Sequence, residues 1–218
     1  MKKKISSTQK ALNLWAIILI IWSIYRANLK MPDWFDEFFA KPAIFILPVY
    51  FYIKNIEKKD FLSEIYFKRK LIIKDLFLGL FIGGVFFGSA LLANYFKFKK
   101  LIFFSQTLSF TNIAWFFLLA LATGISEEIL SRGFVLKRLY EESKNIYSAS
   151  FFASVLFFFI HVPILFSNLK ITGNLLLMFM ATDIALSLVL SFVFLSRKSL
   201  TLPVIIHTLY NLAIILFI

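Results

Sequence analysis

The chain has 218 residues, 60% of them hydrophobic and 29 of them Phe, with a mean hydropathy of +0.83. A soluble domain averages about 45–50% apolar residues, so this excess marks a membrane protein. The net charge of +12 falls between apolar runs, as topology signals do and a nucleic-acid surface does not, and the lack of Cys excludes disulfides, thiol catalysis and thiolate metal sites.

Seven apolar segments follow in chain order, at about 11–29, 38–54, 75–96, 108–131, 147–167, 174–196 and 200–218. A span needs about 20 residues to cross the hydrocarbon core, so the expected fold is an all-α polytopic membrane bundle of about seven transmembrane helices. The first segment follows "MKKK" but has no small-residue cleavage site, and reads as a retained anchor. The second contains Pro42 and Pro48, and reads either as a kinked span or as a re-entrant piece. In the third, Gly79 and Gly83 form one GxxxG and Gly84 and Gly88 another, a spacing that lets helices pack closely inside one bundle.

Basic residues set the expected orientation. With the N-terminus inside, 17 of the 24 Lys and Arg lie on the inner side. The outer side has Arg26, Lys30, Lys41, Lys97, Lys99, Lys100 and Lys170. This bias predicts a cytoplasmic N-terminus. Residues 1–74 read as N-terminal membrane helices with a basic cytoplasmic loop, and residues 75–218 as the functional core.

Ionisable groups inside apolar helices are costly, roughly 2.5–3.5 kcal/mol each on insertion scales, and are functional candidates for that reason. They are Glu127, Glu128, Arg132, Asp183 and the two histidines, His161 and His207, with the polar Asn211 beside them. Glu128 and Arg132 are four apart and share a helix face, whereas Glu127 points about 100° away. One carboxylate can therefore pair with Arg132 while the other faces a neighbouring helix. His207 and Asn211 also share a face. A carboxylate in an apolar pocket suits a general base, a nearby imidazole can share its water, and His with Asn offers two donors to an oxyanion. Two His and a Glu could instead hold zinc, although no H-E-x-x-H is present. Asp183 could pair with a histidine, with Arg132 or with neither. Pro163 and Pro203 read as a kink and a helix start.

The motifs resemble those of a known family. "EEILSR" (Glu127 to Arg132), "FFFIH" (Phe157 to His161) and "HTLYN" (His207 to Asn211) are similar to the EExxxR, FxxxH and HxxxN motifs of the CPBP family. These are the CAAX-protease and bacteriocin-processing intramembrane proteases, also called the Abi family. The resemblance covers roughly residues 75–218. It implies a membrane-embedded endopeptidase whose partners are the bilayer and a peptide or membrane-protein substrate; the charge placement argues against nucleic acid, and the Lys-, Ile- and Phe-rich composition suggests a prokaryote. By the same resemblance Glu127 is the general base, His161 positions water, His207 and Asn211 stabilise the oxyanion, and Glu128 and Arg132 support the site. The family is commonly labelled metallo; a divalent metal such as zinc would use Glu127, His161 and His207. A metal-free scheme is favoured, because Asn is a poor zinc ligand and a good oxyanion donor.

Two other readings compete. One is a non-catalytic scaffold or bacteriocin self-immunity protein with the same fold. The other is a small proton-coupled transporter, which the absence of paired repeats disfavours. One expectation is internally inconsistent. On the segment bounds above, Glu127 lies near the end of its helix, while His161 lies about 14 residues into its own, roughly 20 Å deep. Either segment four runs further or segment five starts later.

Overall fold

The structure, a computed structural model, describes residues 5–103, 109–167 and 173–217. The start of the chain at "MKKK", the first residue of segment four and the loop charge Lys170 lie outside these residues. No strand occurs among the described residues.

α1 (Ser7–Asn28) starts at Ser6, whose side chain accepts the Gln9 N–H. Its buried positions Thr8, Ala11, Trp15, Ile18 and Trp22 recur every three or four residues and make one inward seam. Ile17, Ile20, Ile21 and Ile24 face outward, as lipid-facing residues do. α1 begins where Thr8 donates to the Arg138 carbonyl at 2.9 Å, and ends where Tyr25 and Arg26 bind Asp36. α2 (residues 33–56) returns antiparallel, because Glu57 at its far end binds Arg138. The second segment therefore runs the length of the bundle and is not re-entrant. Pro42 and Pro48 are carried by widened turns in which the Lys41 N–H bonds Asp36 O and the Leu47 N–H bonds Pro42 O.

The short α3 (Phe61–Glu64) and a single turn at Arg69–Leu71 lead into α4 (Ile72–Phe98). Then come α5 (Phe110–Ser143), α6 (Ile146–Ser167), α7 (Gly173–Arg197) and α8 (Thr201–Phe217). Of these long helices, α1, α4, α5, α6 and α7 are long and apolar enough to cross a membrane; α8 is shorter.

The helices are not equivalent. α8 is central, packed against α4, α5 and α7. α4 leaves Phe77, Phe81, Val85 and Phe96 exposed. Its first GxxxG is the packing face: a Cβ at Gly79 would lie 2.8 Å from Ile205, and one at Gly83 3.2 Å from the Ile206 backbone. The second GxxxG is not used inside the bundle, since Gly84 and Gly88 have nothing within 4 Å of a built Cβ. Gly124 does the same service for α5, meeting Thr208 and the Val204 carbonyl of α8 at 3.2 and 3.3 Å.

α5 resolves the depth inconsistency. The apolar run stops near residue 131, but the helix continues to Ser143 through wide turns at Ile129–Leu136. Glu127 is thus roughly 24 Å from the Ser143 end, and His161 roughly 22 Å from the Ile146 start of α6. The two residues stand at one depth, in the middle of the bundle.

Candidate active site

Glu127 and Glu128 end the regular part of α5, and both are buried. The 100° turn between them sends them to different partners. Glu128 Oε1 accepts from Arg132 Nη1 and from His207 Nδ1, each at 2.8 Å. A carboxylate already bound to Arg132 can only accept, so His207 Nδ1 carries the proton in this contact. Arg132 is fully buried and reaches α7 as well, donating to Ser187 Oγ at 2.7 Å and to the Ser187 carbonyl at 3.2 Å. Its guanidinium also lies 4.2 Å from the Phe157 ring centroid.

Glu127 faces the other way. Its Oε1 accepts from Lys41 Nζ of α2 at 2.8 Å. Its Oε2 lies 3.5 Å from His161 Nε2 and 3.8 Å from His207 Nε2. That oxygen is buried and has no hydrogen-bond partner among the described residues. A buried acceptor left open costs about 1–3 kcal/mol, so this vacant lone pair between two imidazoles is the main chemical feature of the site.

α6 brings Phe157 and His161 together one turn apart, and the Phe157 ring packs edge-on against both imidazoles, at 5.0 Å from His161 and 5.7 Å from His207. Asp183 of α7 comes nearest the far side of His161, with Oδ1 3.6 Å from Nδ1. Asp183 and Ser187 are four apart, so one face of α7 serves both His161 and Arg132. Asn211 is half-buried one turn beyond His207, with no side-chain hydrogen bond among the described residues. A cavity of about 300 Å³ lies between α4, α7 and α8, lined by Phe86, Met178, Phe179, Thr182 and Tyr210. Phe179 also packs edge-on to His161, with centroids 6.0 Å apart.

No three His, Asp or Glu groups among the described residues are placed to hold an ion. The Lys41 ammonium on Glu127 adds positive charge where a divalent cation would have to approach.

The sequence reading missed Lys41, Glu37 and Ser187. Lys41 was counted as an outer-side loop charge; it is instead 7% exposed and inside the bundle. Its signal was available, since a lysine between "FFA" and "PAIF" is an intramembrane charge by the same rule that selected the glutamates. Ser187 carries no such signal, because a serine in an apolar helix usually bonds its own backbone.

Residues 109–213 match the family described as type II CAAX prenyl endopeptidase Rce1-like. All three motifs lie within that stretch, and the resemblance to the CAAX-protease family holds across it; α1 to α4 lie outside. No curated protein matches the chain significantly, and no solved structure does.

Proposed function

We propose that this multi-pass membrane protein, similar over residues 109–213 to the type II CAAX prenyl endopeptidases, is an intramembrane endopeptidase that hydrolyses a peptide bond with glutamate-activated water. The observation that carries the reading is the unpartnered Oε2 of buried Glu127, flanked by two imidazoles at 3.5 and 3.8 Å.

In this scheme a water beside the 3.5 Å approach of Glu127 Oε2 and His161 Nε2 bonds both atoms. Glu127 takes one proton from it, and the hydroxide adds to the scissile carbonyl carbon. His207 is pinned through Nδ1–H to Glu128, so its Nε2 edge faces the reaction; with a proton on Nε2 as well, that edge donates to the oxyanion together with the Asn211 amide. Glu127 then passes its proton to the leaving nitrogen as the carbon–nitrogen bond breaks. Asp183 sits behind His161, 3.6 Å from Nδ1, on the side where a carboxylate stands behind a catalytic imidazole elsewhere. The apolar cavity beside Phe179 suits an apolar side chain or lipid group of the substrate. No metal step enters the scheme.

The test is cleavage of a quenched-fluorescent peptide library, including a prenylated CaaX peptide, by purified protein in detergent. Wild type is expected to cleave and Glu127→Gln to lose cleavage, while a chelator leaves the wild type active. A Glu127→Gln protein that still cleaves removes the reading. A wild type that cleaves nothing, while Glu127→Gln keeps the protein's cellular effect, favours the scaffold instead.

A further inference from the structure

Lys41 is held more elaborately than charge neutralisation needs. Its ammonium sits 2.8 Å from Glu127 Oε1 and 2.8 Å from Glu37 Oε1, four residues back on α2. Glu37 is itself fixed, its Oε2 accepting from the Thr123 hydroxyl at 2.6 Å. Thr123 lies one turn before Glu127 on α5. The chain Thr123, Glu37, Lys41, Glu127 therefore ties α2 to α5 at two points one turn apart. The wide turns on either side of Lys41, with Pro42 unable to donate a backbone hydrogen bond, aim this lysine inward.

The two oxygens of Glu127 are not equivalent as a result. One is held by an ammonium and the other is open to the imidazoles. A carboxylate free to rotate about its last bond would offer either oxygen at variable angles. We propose that Lys41, backed by Glu37, is a positioning residue for the hydrolysis: it clamps Oε1 of Glu127 so that Oε2 alone is presented to His161, His207 and the water between them. This rests on the hydrolytic reading above and extends it to α2, a helix outside the stretch that matches the protease family.

The experiment compares wild type, Lys41→Met, Lys41→Arg, Glu127→Gln and the double variant Lys41→Met/Glu127→Gln, all as full chains in detergent. Peptide cleavage and thermal melting are read on each. Lys41→Met is expected to lower kcat by about 100-fold with KM unchanged, the scale on which a small misplacement of a reacting group acts. Lys41→Arg is expected to restore most of that kcat. In melting, Lys41→Met should lower Tm more when Glu127 is present than when it is Gln, because only then is a buried charge left unpaired. Wild-type kcat in Lys41→Met, or an equal loss of Tm in both backgrounds, overturns the proposal. Should Lys41→Met fail to fold, Glu37→Gln loosens the ammonium without stranding it; lowered kcat at constant KM supports the clamp and unchanged kcat overturns it. A wild type without peptidase activity defeats the hydrolytic reading and with it the part assigned to Lys41. The melting cycle would still report whether the Lys41–Glu127 pair forms, so the two failures are distinguishable.

Discussion

Arg132 connects three helices from a position with no solvent: Glu128 on its own helix, Ser187 on α7 and the Phe157 ring on α6. Removing one partner of a buried ion pair strands the other, so Arg132→Ala should destabilise the protein by about 3–5 kcal/mol, measured by thermal melting in detergent. Arg132→Lys should also melt early, since an ammonium cannot reproduce the fork that reaches Glu128 and Ser187 together. On the proposed mechanism Asp183 acts through His161. Asp183→Asn is expected to lower kcat by about 100-fold with little change in KM, read by steady-state cleavage kinetics. The Asn211 amide, one turn from His207, has no hydrogen bond among the described residues, and Asn211→Ala should cost about 10²–10³ in kcat if that amide meets the oxyanion. At this scale much was legible in the sequence. Ionisable groups in an apolar chain are few, and Glu127, Glu128, Arg132, His161 and His207 stand out. Asp183 also stood out, but its partner could not be read, because helix-to-helix distances are absent from a linear pattern.

The two GxxxG pairs of α4 show why an element's pattern does not specify its neighbour. Both have the spacing, yet only Gly79 and Gly83 meet α8. Gly79→Leu is expected to lower Tm markedly and Gly88→Leu to leave it near the wild-type value. The end of α5 was likewise hidden. Its last turns, "KRLYEES", read as a loop because they are charged. They are helical because those charges have tertiary partners: Arg138 Nη2 is 2.6 Å from Glu57 Oε2, and Lys137 Nζ is 2.8 Å from Glu64 Oε1. For Glu64, burial raises the carboxyl pKa, but Lys137 and Lys59 outweigh it and hold the group below its ordinary value of 4.5. A folded-state pKa below the unfolded one stabilises at higher pH, and that stabilisation is lost as pH falls through the folded value. Tm should therefore drop as pH is lowered below about 4.5, and Glu64→Gln should reduce this acid-dependent loss.

Across the whole molecule, the segments assigned to one side of the membrane do meet at one end of the bundle. Thr8 binds Arg138, Glu64 binds Lys137, the Leu200 N–H bonds the Tyr66 carbonyl and Arg197 binds Asp75. The opposite end is closed by Asn94, which bonds Ile102 and the Phe217 carbonyl. The basic-residue bias predicts that the first end is the cytoplasmic one. Because the chain has no Cys, single-cysteine variants give a clean test. In intact cells, Lys99→Cys should react with a membrane-impermeant maleimide and Lys144→Cys should not; the reverse pattern inverts the orientation. The apolar segments were legible from hydropathy alone, and five of the described helices, α1, α4, α5, α6 and α7, are long and apolar enough to span. That α8 would be central, despite being short, was not legible, since every segment is apolar on all sides and periodicity cannot separate a lipid face from a buried one.

The site's members also arrive at different times during synthesis. Lys41 precedes Glu127 along the chain, and Arg132 follows Glu128 by four residues, so both glutamates have a cation at hand as α5 enters the bilayer. His207 lies 79 residues after Glu128. At about 5–20 residues per second, α8 follows roughly 4–16 s later. During that interval the carboxylates have their cations but the proposed hydrolytic group still lacks His207 and Asn211. On the proposed mechanism, a chain stalled before α8 is expected to be membrane-inserted, charge-balanced and unable to cut its neighbours.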